Sequence, residues 1–329
     1  MSGNHNQSLN RALQIVKKAA LSGADAIKLQ TYTADTMTLN VKKPGFTIDD
    51  PKSLWNGRHL YELYQEAYTP WGWHEPIMKY AKDLGIHCFS SPFDFSAVDF
   101  LEKLNVPAYK IASFEITDIP LIKKVASTKK PIILSTGMAS IGEINDAVNT
   151  ARNNGCNEIV LLKCTSTYPA SPENTNLKTI PNIKEVFNCE VGLSDHTMGI
   201  GVALGAISLG ATVIEKHFTL KRSEGGIDSS FSIEPSELSQ LRQEGDKVWQ
   251  ALGCIKYGGT KSELKSKEHR RSLYIGEDLK AGDTLSSKNI RIVRPGFGLA
   301  PKYLEKIVGQ RIQKDCTAGT PITWELLKE

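Results

Sequence analysis

Apolar residues along this chain fall into two alternating patterns. Short runs rich in Val, Ile and aromatic side chains, at residues 26–32, 87–93, 108–115, 131–137, 158–166, 190–196 and 212–219, have the length and composition of buried strands. Between most of them lie segments with apolar residues at helical spacing, at 95–104, 119–127, 141–153 and 199–209, several closed by a Gly or Asn stop signal. Strand and helix alternate, which predicts a parallel sheet covered by helices. An open doubly wound sheet and a closed (β/α)8 TIM barrel both satisfy that pattern, and polar residues separate them. A doubly wound sheet gathers its ligand groups at one switch point. Here nearly every predicted strand ends in a chemistry-capable residue: Gln30, Ser91, Glu115, Ser135, Ser166, His196 and His217. A ring of functional groups at the carboxyl ends of the strands predicts the α/β TIM barrel.

Such a barrel needs eight strands, and the pattern supplies seven. Residues 2–6 read as a loop and residues 8–21 as a strong helix with no strand before it, so the first strand is expected to be missing and one barrel edge to be exposed. From about Gly253 the texture changes. A charged, Gly-containing stretch gives way to short alternating segments at 271–276 and 289–293 and to Pro295-Gly296-Phe297-Gly298. We therefore expect a barrel domain over residues 1–255, a linker over 256–270 and a small β-rich domain over 271–329. Within the last, Asp278-x-Lys280-Ala281-Gly282-Asp283-x-Leu285 is echoed by Asp315-x-Thr317-Ala318-Gly319-Thr320-x-Ile322, which suggests two similar turn units.

Composition narrows the class without changing the fold. The 329 residues are 40% apolar and 23% charged, which excludes a collagen, a disordered tail or a disulfide mini-scaffold. Net charge is +4, and the densest basic stretch, residues 256–271, is interrupted by Glu263 and Glu268. Nucleic acid is not an expected partner. The six cysteines contain no Cys-x-x-Cys pair, so reduced thiols of a cytoplasmic protein are expected. No apolar run approaches the roughly 18 residues of a membrane helix, and no membrane partner is expected.

Candidate chemistry collects at the strand ends. Ser194-Asp195-His196-Thr197 and Glu215-Lys216-His217-Phe218 put a histidine at the ends of two adjacent predicted strands. Two neutral imidazoles facing one barrel mouth can hold a divalent metal, with water and substrate filling the other positions, an arrangement suited to Lewis-acid catalysis. Lysines inside apolar strands are the second signal, since a buried ammonium calls for a counter-charge. Lys28 and Lys110 are read as lining an anion site, whereas Lys163 and Lys216 are read as snorkelling out at strand ends. The hydroxyls of Ser91, Ser113, Ser135, Ser166 and Ser194 add donors for phosphate and carboxylate. Lys110 has the opposite strand parity to Ser113 and Glu115, so all three face one site only if the strand bulges or ends near Ala112. Glu115 and Asp228 are candidate acid/base or hydroxyl partners. The aromatic insert at 55–73 reads as a packed lid or interface.

These residues together resemble the sialic acid synthase family, and within it the pseudaminic acid synthases. The resemblance is carried by Gly3-Asn4-His5-Asn6, Lys28-Leu29-Gln30-Thr31-Tyr32-Thr33, Ser90-Ser91-Pro92-Phe93-Asp94, Lys110-Ile111-Ala112-Ser113-x-Glu115, Leu134-Ser135-Thr136-Gly137-Met138, the two histidine motifs and Arg294-Pro295-Gly296-Phe297-Gly298. It implies a barrel joined to a C-terminal antifreeze-like (SAF) domain, in a domain-swapped homodimer. It implies condensation of phosphoenolpyruvate with an acetamido-deoxyhexose, 2,4-diacetamido-2,4,6-trideoxy-L-altrose, giving pseudaminic acid and phosphate. N-acetylneuraminate or legionaminate synthesis is the alternative. By resemblance, His196 and His217 hold the metal, usually Mn2+, with Mg2+ or Co2+ as alternatives. Lys28, Lys110, Ser91, Ser113, Ser135, Ser166 and Ser194 bind phosphoenolpyruvate. Gln30, Glu115, Tyr168 and Asp228 lie toward the sugar, Phe93 is a further substrate-binding residue, and Arg294 is lent to the neighbouring site. The family's first strand ends in a glutamate immediately before the position of Met1. Two other classes stay open on the residues alone: a Schiff-base aldolase using Lys110, and an inactive barrel acting as a binding protein.

Overall fold

In the computed structural model, which describes residues 1–51 and 53–327, each apolar run becomes a strand. These are β1 (Ala26–Thr31), β2 (His87–Pro92), β3 (Tyr109–Ile111), β4 (Ile132–Ser135), β5 (Ile159–Cys164), β6 (Glu190–Asp195) and β7 (Val213–Lys216). They pair in parallel in chain order, with β1 and β7 at the two ends. Helix α1 (Leu9–Leu21) precedes β1, while α2 (Ala34–Met37), α3 (Leu60–Ala67) and α4 (His74–Asp83) lie between β1 and β2. Strands β2 to β6 are followed in turn by α5 (Phe95–Lys103), α6 (Ile119–Ala126), α7 (Ile141–Asn153), α8 (Thr179–Phe187) and α9 (Gly201–Ser208), and β7 by α10 (Pro235–Leu252). Local chemistry starts several of these helices: the side chains of Asp94, Asp118 and Ser140 accept from the amides of Ala97, Leu121 and Glu143, satisfying donors that the first turn leaves free.

The core lies between the strands and the helices. Tyr109, Ile111, Ile132, Leu134, Leu161, Val191 and Leu193 pack with Val98, Ile122 and Val148, and Ile27 and Leu29 pack with Ile15 and Ile77. Successive strand residues point to opposite faces. The residues between those core positions, Lys28, Gln30, Lys110, Ser135, Ser194 and Glu215, therefore face the barrel interior. A 640 Å³ cavity lies between the two end strands, lined by β1 (Ile27), β7 (Ile214) and α10 (Leu241, Trp249). One position depends on glycine. A Cβ on Gly192 would lie 2.2 Å from the Val213 carbonyl oxygen and 2.6 Å from Leu162 Cδ2, so a side chain there would push β7 away from β6.

The sequence pattern runs the third strand through residue 115, but β3 stops at Ile111 and the chain turns through a 3-10 segment, Ser113–Glu115. The Glu115 amide donates to the Ala112 carbonyl at 3.1 Å, closing a turn that takes the backbone out of the ladder. Strand parity therefore does not bind Ser113 and Glu115 to the face opposite Lys110.

The chain divides into two compact units, Met1–Gly253 and Cys254–Glu329. In the second, β8 (Ser272–Ile275) pairs antiparallel with β9 (Ile290–Val293) over a core of Leu273, Ile275, Leu285, Ile307, Ile312 and Ile322. The two echoing segments meet there. Leu279 and Cys316 exchange backbone hydrogen bonds at 2.8 and 2.9 Å. Asp278 accepts from the Ala318 amide and Asp315 from the Ala281 amide, each at 2.9 Å. Each copy of the motif thus caps the turn of the other. All six cysteines are free thiols, only Cys254 being exposed.

Candidate active site

The interior side chains form two neighbouring chemical zones. In the first, the Lys110 ammonium is buried at 1% exposure and donates to Ser135 Oγ at 2.6 Å and the Ile111 carbonyl at 2.9 Å. Burial pushes it down to about 8, against the pull of Glu215. Lys28 Nζ donates to Glu215 Oε1 at 2.7 Å, and Ser194 Oγ donates to the same oxygen at 3.1 Å. Burial opposes ionisation of Glu215, but the charges of Lys110 and Lys28 outweigh it and hold the carboxyl below its ordinary range. Ser91 Oγ is buried with no partner, and Ser113 Oγ accepts from the Gly137 amide at 3.1 Å. A Cβ on Gly137 would meet Ser166 Oγ at 2.2 Å and Ser113 Oγ at 2.7 Å, so the glycine keeps open a hollow walled by hydroxyls. Two ammonium groups, several hydroxyls and a backbone amide against one carboxylate leave this zone suited to a small polyanion.

The second zone is the histidine pair. The rings of His196 and His217 lie 5.3 Å apart by centroids. His196 Nδ1 is 2.9 Å from the Thr165 carbonyl, which can only accept, so Nδ1 carries the proton and Nε2 keeps its lone pair. His217 Nδ1 is buried without a hydrogen-bond partner and lies 3.6 Å from Asp228 Oδ2. Burial, helped by His196 and Lys28, outweighs Asp228 and lowers His217; burial also opposes charge on His196, but the Cys164 thiol and the Thr165 carbonyl raise it. Tyr168 and Phe231 wall the pair, at 4.5 Å from His196 and 5.0 Å from His217 respectively. Among the described residues no group of three or more His, Cys, Asp or Glu side chains is arranged to hold a metal ion. A free His196 Nε2 and a His217 Nδ1 without a hydrogen bond, on rings 5.3 Å apart by centroids, nevertheless fit a divalent cation whose remaining positions are filled by water and substrate.

Acid and hydroxyl chemistry borders both zones. Glu115 Oε2 is buried without a partner, and burial pushes the carboxyl up to about 7, against Lys110. Gln30 Oε1 accepts from Ser2 Oγ at 3.0 Å, and Ser2 Oγ also makes a short hydrogen bond to Asp228. Tyr168 stacks obliquely on Trp55 at 5.8 Å, which places the aromatic insert over this end of the barrel. Phe93 packs edge-on against Tyr32 at 5.3 Å. Arg294 belongs to the C-terminal unit, just after β9.

Some functional geometry escapes sequence reasoning. Glu215, the counter-charge of Lys28, carries no distinguishing signal in the sequence, although it stands two residues before His217 and so shares its face. Ser2, Cys164 and Phe231 gave no signal of their own. Cys164 Sγ lies 3.9 Å from His196 Nδ1; burial opposes its ionisation, but hydrogen bonding and charge from His196 outweigh it and bring the thiol to about 7. One expectation is corrected. Lys216 does not snorkel: its side chain is 3% exposed and ion-paired with Asp195 at 2.6 Å, because the strand register sets the two residues opposite each other. Lys163 turns back on its own backbone, donating to the Cys164 carbonyl at 2.7 Å.

Comparison with known proteins places this geometry in context. The profile of the NeuB family matches residues 15–257, and that of the SAF domain matches residues 270–328. Pseudaminic acid synthase of Campylobacter jejuni subsp. jejuni serotype O:2 is 44% identical over 319 residues, spanning 97% of this chain and 92% of that protein. Pseudaminic acid synthase of Helicobacter pylori is 43% identical, spanning 98% and 95%. Among solved structures, N-acetylneuraminic acid synthetase from Leptospira borgpetersenii superposes with a TM-score of 0.71 at 32% identity, covering 81% of this chain and 88% of that one.

Proposed function

The chain belongs to the NeuB family, and on that premise we propose that it is an enzyme condensing phosphoenolpyruvate with 2,4-diacetamido-2,4,6-trideoxy-L-altrose to give pseudaminic acid and inorganic phosphate. The observation that carries the chemistry is a fully buried Lys110 with only neutral hydrogen-bond partners, in the same barrel mouth as an imidazole pair with unengaged nitrogens. The ammonium lacks a carboxylate of its own and is suited to a substrate anion.

In this reading Lys28 and Lys110 hold the phosphate and carboxylate of the donor, with the hydroxyls of Ser91, Ser113, Ser135, Ser166 and Ser194 as neutral donors. Gln30, Tyr168 and Asp228 orient the sugar so that its aldehyde carbon lies near the enol carbon of the donor, with Phe93 as a further substrate-binding residue. His196 and His217 would hold a divalent cation, manganese in this proposal, which would supply Lewis-acid polarisation of the aldehyde oxygen. The C2=C3 π pair of the donor forms the bond from C3 to the aldehyde carbon, whose C=O π pair passes to oxygen and takes a proton, leaving C2 electron-poor. Water adds at C2, and the C2–O bond to phosphate breaks, releasing inorganic phosphate. Glu115 moves a proton at the aldehyde oxygen or at the incoming water. The proposal also includes a cytoplasmic homodimer in which Arg294 of one protomer serves the partner's site. No helix among the described residues is long and apolar enough to cross a membrane.

Two measurements test this reading. Phosphate release with 2,4-diacetamido-2,4,6-trideoxy-L-altrose is expected to exceed that with N-acetylmannosamine by at least about 100-fold in kcat/KM, since a polar pocket built for one set of sugar substituents rejects another strongly. A preference for N-acetylmannosamine would reassign the acceptor. Gly137→Ala is expected to raise KM for phosphoenolpyruvate ~10-fold with little change in melting temperature. The new methyl displaces the Ser166 and Ser113 hydroxyls by rotation, so the fold survives while a hydrogen bond to a charged ligand, about 1.5–3 kcal/mol, is lost. An unchanged KM would remove Ser166 from the donor site.

A further inference from the structure

The last rungs of the β6–β7 ladder are Ser194 with Glu215 and Asp195 with Lys216. His196 and His217 each follow directly, one residue beyond the pairing. Their backbones are drawn to different neighbours there: the Ala170 amide donates to the His196 carbonyl at 3.0 Å, and the Ile233 amide donates to the His217 carbonyl at 2.8 Å. What ties the two segments together past the ladder lies on the opposite face of the sheet from the imidazoles. Asp195 Oδ1 accepts from the Thr197 amide at 2.9 Å and the Thr197 hydroxyl at 2.8 Å, closing a tight loop around His196. Lys216 Nζ donates to Asp195 Oδ2 at 2.6 Å and to the Thr197 carbonyl at 2.9 Å. A single ammonium on the residue before His217 thus grips the residues on both sides of His196. The pair is almost wholly buried, with side-chain exposures of 3% and 1%.

Buried ion pairs contribute little net stability compared with well-packed apolar residues, and their best-attested use is to select one geometry. We infer that the Asp195–Lys216 pair is a positioning device that sets the separation and facing of His196 and His217, and thereby the cation affinity of the imidazole pair. The inference rests on the reading that these two histidines hold a divalent cation. Asp195 and Lys216 touch neither substrate nor cation. They act through the backbone, as supporting groups behind metal ligands do when their loss costs ~10–100-fold in metal affinity.

The test uses the full chain stripped with chelator and titrated with Mn2+ alone, free Mn2+ being counted by electron paramagnetic resonance, with a thermal melt on each sample. The double variant Asp195→Leu/Lys216→Met removes both charges together and is expected to fold with a melting temperature at or above that of the parent, while binding Mn2+ at least about 10-fold more weakly. Lys216→Met alone is expected to lose as much affinity and also stability, since it leaves Asp195 buried and unpaired. Should these variants not fold, Thr197→Val keeps the ion pair and removes one bond to Asp195, and a two- to fivefold loss of Mn2+ affinity is expected. A folded double variant, or failing that Thr197→Val, that binds Mn2+ as the parent does would overturn the positioning role and leave the histidine reading intact. A parent chain that binds Mn2+ no better than His196→Ala/His217→Ala would instead overturn the histidine reading, and the positioning role with it.

Discussion

Replacing Lys110 with methionine is expected to raise the melting temperature by a few degrees while lowering kcat/KM for phosphoenolpyruvate about a thousandfold. The Lys110 side chain sits in the barrel interior with a hydroxyl and a carbonyl as its hydrogen-bond partners, and burial lowers it from 10.5 to about 8. At neutral pH the folded chain still carries this charge, at a cost of ~3 kcal/mol on a scale of 1.36 kcal/mol per pH unit. The folded state gives up the proton near pH 8 and the unfolded state near 10.5, so between those values the unfolded chain binds more protons. Stability of the parent therefore rises with pH across that window. Methionine fills similar volume without the charge, so the stability gain should be largest below pH 8 and shrink above it. The catalytic loss has the same origin: removing one partner of a buried charge pair costs about 3–5 kcal/mol, here the interaction of the donor's anionic groups with a desolvated ammonium. Differential scanning calorimetry across pH and steady-state phosphate release check the two halves separately. An unchanged melting temperature together with unchanged kcat/KM would remove Lys110 from the site.

Glu115→Gln is expected to lower kcat by ~10²–10⁴, the range for loss of a general acid or base, with a much smaller change in phosphoenolpyruvate affinity. Glutamine matches the shape and cannot exchange a proton at these pH values. Burial holds Glu115 near 7 despite Lys110, so the pH profile of kcat/KM, which reports the free enzyme, should bend near pH 7 in the parent and not in the variant. A limb that falls as pH rises assigns Glu115 to donating a proton to the aldehyde oxygen. A limb that rises assigns it to taking one from water. Between 4.5 and 7 the folded state binds more protons than the unfolded one, so parent stability declines with pH through that window, and the variant should not show this decline. A bend near pH 7 that survives in Glu115→Gln would belong to another group and sink the assignment.

Much of this architecture was legible in the chain because it rests on local periodicity. The apolar runs mark the seven strands, the 3.6-residue spacing marks α1, α5, α6, α7 and α9 but not α4, α8 or α10, and the polar residue ending each run points to the barrel mouth. His196, His217, Lys28 and Lys110 stand out within a strand pattern whatever the remote sequence does. Partnership across strands was not legible in the same way. Glu215 looks like an ordinary charged residue until the fold sets it beside Lys28, 187 positions away in the chain. Lys216 reads as a strand-end lysine until the register puts it opposite Asp195.

The sequence by itself determined which segments hold the strands and which positions within them alternate between core and interior, since alternation and burial depend on near neighbours. Only the tertiary structure decided where β3 gives way to the Ser113–Glu115 turn, which carboxylate answers which ammonium, and that Ser2 reaches Asp228. These outcomes depend on strand register and loop path, where a shift of one residue changes every partner.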